Sequence, residues 1–293
     1  MSGAVWFGDR LVPLEDAGID PTDRGFTLAD GCFDTALAIG GRVFRANDHL
    51  DRLAATCAAL FLPVARESLE AAQSALAGEI VNGSVRLTVT RGTGARGLAL
   101  PAAPKPTLLG SAAPLVPQLM FRPMTLAIAE TRRNETSPTS RLKTLSYLDA
   151  ILETHRAKEA GADEPLFLNA KGEIACSALA NIFLMGEHNI VTPPLTSGVL
   201  DGVMRRFLIE SAEAFSEKIS VAPIPWDAPR SGRFLLTNSL RLIAPASLPG
   251  ASPISRQQAS FVRSSMEYTC ATIRQDCGAD PRDLGAEIPN LNG

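Results

Sequence analysis

Asp23-Arg24-Gly25-Phe26-Thr27-Leu28-Ala29-Asp30-Gly31-Cys32-Phe33-Asp34-Thr35 leads from a polar, glycine-containing segment into a strand. Phe33–Ile39 alternates weakly, and Gly40-Gly41 turns the chain into Arg42–Arg45 as a hairpin. Asn47 then suits the N-cap of a helix over Asp48–Phe61. Leu50, Leu53, Ala54, Cys57 and Leu60 form its apolar face. A hairpin followed at once by an amphipathic helix reads as strands and helices mixed in one unit.

The flanks continue this pattern. Ala4–Phe7 and Arg10–Pro13 bracket Gly8-Asp9, another hairpin signal. A helix is expected over Arg66–Ile80 and a strand over Ser84–Thr90, ending in the glycine-rich Arg91–Gly97. Pro101, Pro104, Pro106, Pro114, Pro117 and Pro123 then predict irregular chain at a boundary. This gives a domain over 1–117 and a second over 118–293. The second reads as strands Thr125–Glu130, Pro165–Leu168, Glu173–Ala175, Ile182–Gly186, Asn189–Thr192, Ser220–Pro223 and Arg233–Thr237. Its helices are expected over Ser146–Gly161, Gly202–Phe215 and Gln258–Cys277, with a surface tail from Gly278.

Composition narrows the function classes. The 293 residues are 45% hydrophobic and 20% charged, enough for one large or two medium cores. No run of about 18 uninterrupted apolar residues predicts a membrane span. Met1–Arg10 lacks a basic region before an apolar run, so no signal peptide is expected. A net charge of -3 gives no electrostatic reason to expect nucleic acid. Five cysteines without a C-x-x-C pair fit a reducing cytoplasm. His49, His155 and His188 have no metal-ligand spacing, so no metal is expected.

Three features suit an anion. Leu200-Asp201-Gly202-Val203-Met204 places a glycine at a helix start, where free N–H groups and the helix dipole favour phosphate, although most such starts are plain caps. Thr237-Asn238-Ser239 follows an apolar strand and also reads as an ordinary turn. Arg91-Gly92-Thr93-Gly94-Ala95-Arg96-Gly97 offers two arginines for a carboxylate or phosphate, or a solvated loop. Lys143 sits in mostly apolar surroundings at an expected helix start. A lysine pressed among apolar groups can lose its charge and act as a nucleophile, while most lysines are simply solvated.

These pieces together resemble the pyridoxal phosphate enzymes of fold type IV, the class IV aminotransferases. The resemblance rests on Asp23–Thr35, Asp48-His49-Leu50-Asp51-Arg52-Leu53 and Thr90–Gly97. It continues through Leu142–Leu148, Ala180-Asn181-Ile182-Phe183, Thr192-Pro193-Pro194, Gly198–Gly202 and Thr237-Asn238-Ser239. It implies a two-domain α+β fold: a small α/β domain, a larger barrel-like domain, and cofactor in the cleft between them. It also implies a homodimer and a small-molecule amine substrate. Lys143 matches the lysine that binds the cofactor aldehyde and shuttles a proton. Arg52 matches the phosphate arginine. Val203, Met204, Asn238 and Ser239 match further phosphate contacts. Arg96 and Phe33 match substrate-binding positions. Tyr147 lies one helical turn from Lys143 if that segment is helical.

One position departs from the family. Cys176 stands where a glutamate usually accepts the pyridinium N–H. Glu173 is three residues away on an expected strand, hence on the opposite face. A neutral thiol would leave the ring a weaker electron sink, which favours elimination over transamination. Asp30–Phe33 and the Arg91–Gly97 loop also look closer to 4-amino-4-deoxychorismate lyases. D-amino-acid aminotransferases carry a tyrosine at Phe33 and a histidine at Leu98. The expectation is therefore a lyase forming 4-aminobenzoate and pyruvate. The alternatives are an aminotransferase for D-amino acids, branched-chain amino acids or amines, and a degenerate cofactor-binding protein.

Overall fold

In a computed structural model, residues 3–186, 189–215, 217–227 and 232–291 are described. The chain divides into two compact units. The first comprises Met1–Val116, Leu142–Ser146 and Ile273–Ala279; the second comprises Pro117–Arg141, Tyr147–Thr272 and Asp280–Gly293.

The first unit is an antiparallel sheet under two helices. Its strands are β1 (Ala4–Phe7), β2 (Arg10–Pro13), β3 (Gly31–Ile39), β4 (Arg42–Val43), β5 (Gly83–Thr90) and β6 (Thr107–Pro114). Their order is β2-β1-β6-β5-β3-β4. A one-turn helix α1 (Arg24–Leu28) precedes β3. Helices α2 (Ala46–Ala59) and α3 (Arg66–Ile80) bury Leu50, Leu53, Cys57, Leu69 and Leu76 against Cys32, Val85, Leu87, Val89 and Leu108. Those strand residues are alternate positions, so one sheet face meets the helices, while Phe33, Leu37 and Ile39, also buried, belong to the other face.

Two expectations need correction here. The proline-rich stretch contains strand β6, in full register with β5 from Gly83↔Pro114 to Thr90↔Thr107. Its only proline is its last residue, so no interior ladder donor is lost. Helix α2 starts at Ala46, after Arg45 in the left-handed region at φ 54°, with no side-chain cap. Asn47 is already helical and does not cap it.

The second unit is a barrel. Its strands are β7 (Met124–Ile128), β8 (Glu164–Leu168), β9 (Ile174–Ser177), β10 (Asn181–Met185), β11 (Ile190–Thr192), β12 (Ile219–Val221), β13 (Arg233–Asn238) and β14 (Leu242–Ser247). The order is β12-β11-β10-β13-β14-β7-β8-β9, and β9 also pairs with β10. Six strands therefore close on themselves, with β11 and β12 as an extension. Met124, Leu126, Leu166, Leu168, Ile174, Ile182, Phe234, Leu236, Ala244 and Ala246 pack into one core. Helices α4 (Leu148–Glu159), α5 (Val203–Glu210) and α6 (Arg256–Cys277) complete the elements.

Strand β14 is not evident from the sequence because Pro245 lies within it, yet its register with β13 is unbroken; β7 joins β14 only at Ala246 and Ser247, beyond that proline. Helix α5 ends at Glu210 and is followed by a separate 3-10 turn over Ala212–Phe215. The C-terminal segment is not all surface: Asp280, Pro281 and Ala286 are buried. The Asp280 carboxylate accepts from the Arg282 backbone and guanidinium at 2.7–3.0 Å.

Candidate functional site

Lys143 is not at a helix start. Leu142–Ser146 is irregular chain held against the first residues of β3, with one bridge between Cys32 and Thr144. The Phe33 N–H donates to the Lys143 carbonyl at 2.9 Å, and the Leu145 N–H donates to the Gly31 carbonyl at 3.1 Å. Gly31 permits this approach: a Cβ there would meet the Val89 carbonyl at 2.4 Å and Leu145 Cδ1 at 2.9 Å. The half-buried Lys143 extends Nζ to 4.4 Å from the centre of the Phe33 ring. Arg86 on β5 places its guanidinium carbon 3.6 Å from the same centre. Lysine, aromatic ring and arginine thus form one cluster on the sheet face turned away from α2 and α3. Arg86 escapes a motif-based reading; the period-two pattern of β5, which sets Arg86 and Thr88 against buried Val85, Leu87 and Val89, is the signal that points to it.

Because α4 begins at Leu148, Tyr147 is its N-cap and does not share a helix with Lys143. The expected one-turn relation fails because backbone bonds to β3 hold Leu142–Ser146 outside the helix.

Arg52, on α2, donates from Nε and Nη2 to the two oxygens of Asp34 at 2.7 and 2.9 Å. His49 Nδ1 lies 2.6 Å from the same carboxylate. Burial pushes the Asp34 carboxyl up, but the Arg52 and His49 charges and hydrogen bonds outweigh it and hold it well below the usual carboxylate range. The two loop arginines separate. Arg91 is buried, paired with Asp30 and bonded to the carbonyls of Leu60 and Phe61, a structural anchor. Arg96 is exposed.

In the second unit, α5 starts after Gly202, which supplies no side-chain cap, and its first turn carries no acidic residue. The Asn181 amide donates to the Leu200 carbonyl at 2.8 Å. Its Oδ1 lies 1.9 Å from where a Cβ on residue 202 would sit, so only glycine fits. Asn181 is paired with Cys176 on one side and Thr237 on the other. Directly paired residues point to the same sheet face, so Cys176, Asn181 and Thr237 form a row. Among the described residues, Thr237 Oγ1 is buried without a hydrogen-bond partner. Asn238 turns its Oδ1 to the N–H groups of Leu240 and Arg241, at 3.0 and 2.7 Å, and so closes the β13–β14 turn. Uncapped N–H groups, a glycine that no side chain could replace and an orphaned hydroxyl fit a phosphate group.

Cys176 is buried, and burial pushes its thiol up against a smaller downward pull from Arg133. Neither nearby carboxylate takes its place. Glu173 accepts from the Asn169 amide at 2.8 Å and from Ser197 Oγ at 3.3 Å. Glu164 is buried, paired with Arg241 and bonded to Ser177 Oγ.

The model of the amino-transferase class IV family matches residues 31–248. A putative branched-chain-amino-acid aminotransferase of Methanocaldococcus jannaschii is 26% identical over 94% of this chain and 97% of its own. The crystal structure of 4-amino-4-deoxychorismate lyase from Pseudomonas aeruginosa superposes with a TM-score of 0.79 at 25% identity, covering 93% of this chain and 98% of that one. A pyridoxal phosphate-bound hypothetical aminotransferase from Mycobacterium tuberculosis superposes with a TM-score of 0.75 at 19% identity, over 89% and 98%. The α+β two-unit fold with its closed barrel agrees with the expectation from sequence. On the match over most of its length, this chain belongs to the class IV aminotransferase family, whose members are pyridoxal phosphate-dependent enzymes.

Proposed function

We propose that the protein is a pyridoxal phosphate-dependent aminotransferase acting on a small amino acid. The carrying observation is the cluster of Lys143, Phe33 and Arg86, which places an amine and a fixed cation on one aromatic ring. Pyridoxal phosphate, when bound, supplies an aldehyde for amines and a ring that acidifies the neighbouring Cα–H. In this reading Lys143 anchors that aldehyde, then takes the Cα proton and returns it at C4′. Arg86 receives the substrate carboxylate, and Phe33 keeps water from the lysine. Arg52, Val203, Met204 and Ser239 are assigned to the phosphate, Asn238 through its backbone. Arg96 and Tyr147 remain candidates for substrate contact, and the protein is a homodimer. Transamination is supported by the near full-length match to a putative branched-chain aminotransferase.

A second reading, a lyase of the 4-amino-4-deoxychorismate type, is favoured by one observation: Cys176 is a buried thiol where the family carries a glutamate. Absorption spectra with D- and L-amino acids, without any oxo acid, separate the two. Conversion to a stable pyridoxamine phosphate band establishes transamination. A band unchanged by every amino acid, with pyruvate released from aminodeoxychorismate, replaces it by the lyase reading.

A further inference from the structure

We infer that Thr237 is a phosphate ligand, its hydroxyl donating to an anion seated at the start of α5. This rests on the cofactor reading above and adds a residue to it. Thr237 is 2% exposed, yet its Oγ1 has no partner among the described residues. Buried hydroxyls are nearly always bonded, so an orphan marks a place for a group that arrives later. The direction of the side chain follows from register. Thr237 pairs with Asn181, whose amide oxygen lies against Gly202. Gly202 leads into the uncapped N–H groups of Val203 and Met204. The hydroxyl and the helix start therefore address the same side of the barrel wall. The Asp201 carboxylate next to this helix start is ion-paired with Arg206 at 2.8 Å. Asn238, next in the chain, spends its side chain on the β13–β14 turn, which leaves Thr237 as the side-chain donor of β13.

The test uses the full chain stripped of cofactor and titrated with pyridoxal phosphate, pyridoxal and inorganic phosphate. Thr237→Val keeps the shape and removes the donor. It should bind pyridoxal phosphate about tenfold more weakly, ~1.4 kcal/mol. It should also lose the melting-temperature rise given by inorganic phosphate, while pyridoxal binding stays unchanged. Its stability without ligand should match or exceed wild type, since an unpaired buried hydroxyl is gone. Thr237→Ser should retain phosphate binding; if the valine variant fails to fold, Thr237→Ala decides, with the same tenfold loss expected and wild-type affinity overturning the inference. Equal phosphate affinity in wild type and Thr237→Val overturns the inference and leaves the cofactor reading standing. So does an equal loss of pyridoxal and pyridoxal phosphate. If wild type binds no pyridoxal phosphate, the cofactor reading falls, and the inorganic phosphate titration still decides Thr237.

Discussion

The Nζ of Lys143 lies 4.4 Å from the centre of the Phe33 ring, and the Phe33 N–H is bonded to the Lys143 carbonyl at 2.9 Å. The lysine is thus fixed at both backbone and side chain by one residue of β3. Lys143→Ala should abolish covalent cofactor retention and lower turnover about 10²–10⁴-fold, the range for a positioned acid–base group. Phe33→Leu keeps the strand and the covalent link but loses a cation–π contact of about 0.5–2 kcal/mol. Turnover should fall several-fold with the cofactor band intact. Loss of that band in Phe33→Leu would contradict the assigned role.

Arg86 stacks on the same ring, 3.6 Å from its centre. If it holds the substrate carboxylate, Arg86→Met removes charged hydrogen bonds of about 1.5–3 kcal/mol. KM for an amino acid should rise about ten- to a hundredfold, and KM for an amine lacking the carboxylate should not. Arg86→Lys should restore only part, since an ammonium lacks the planar fork. Steady-state kinetics on the matched pair of substrates checks this.

Asp34 joins Arg52 and His49 inside the first unit. Its folded carboxyl titrates below its unfolded value of about 3.9. The stabilisation is therefore complete above that value and is lost as pH falls below about 4. At pH 7, Asp34→Asn should cost about 3–5 kcal/mol, because it removes the buried carboxylate that balances the charge of the half-buried Arg52. Urea unfolding should show a constant gap between wild type and variant above pH 5, narrowing as pH drops to 3.

Cys176 stays a neutral thiol at neutral pH, because burial raises it more than Arg133 lowers it. Cys176→Glu should speed conversion of an added amino acid to its oxo acid in a single half-reaction, read at the pyridoxamine phosphate band. Unchanged half-reaction rates would show that this position does not set the fate of the bound amine.

Gly202→Ala places a methyl 1.9 Å from Asn181 Oδ1. Asn181 is pinned by its bond to Leu200 and cannot yield freely. Overpacking of this kind costs about 1–3 kcal/mol. Denaturation should show that loss, together with weaker phosphate binding, since the start of α5 must shift.

Much was legible from local pattern. The Gly8-Asp9 and Gly40-Gly41 turns, the apolar faces of α2 and α3, and the glycine before α5 are each written within a few residues. Short-range chemistry decides such features, so the first hairpin falls at Ala4–Phe7 and Arg10–Pro13 as the sequence reads. The resemblance carried by Asp23–Thr35, Lys143 and the later motifs likewise agrees with the family match.

Long-range pairing decided the rest. Lys143 reads locally as a helix start, but hydrogen bonds of Lys143 and Leu145 to Phe33 and Gly31, more than a hundred residues earlier, keep the segment out of the helix. Strand β6 hides among prolines, because membership depends on β1 and β5 as neighbours. Arg91 and Arg96 look alike in one loop, yet Asp30 claims the first and leaves the second exposed. The place of Thr237 in a row with Asn181 and Cys176 exists only through strand register. The sequence alone determined which groups are present and which turns they make. Which of them share a face was fixed by non-local hydrogen bonding, which no short window of residues encodes.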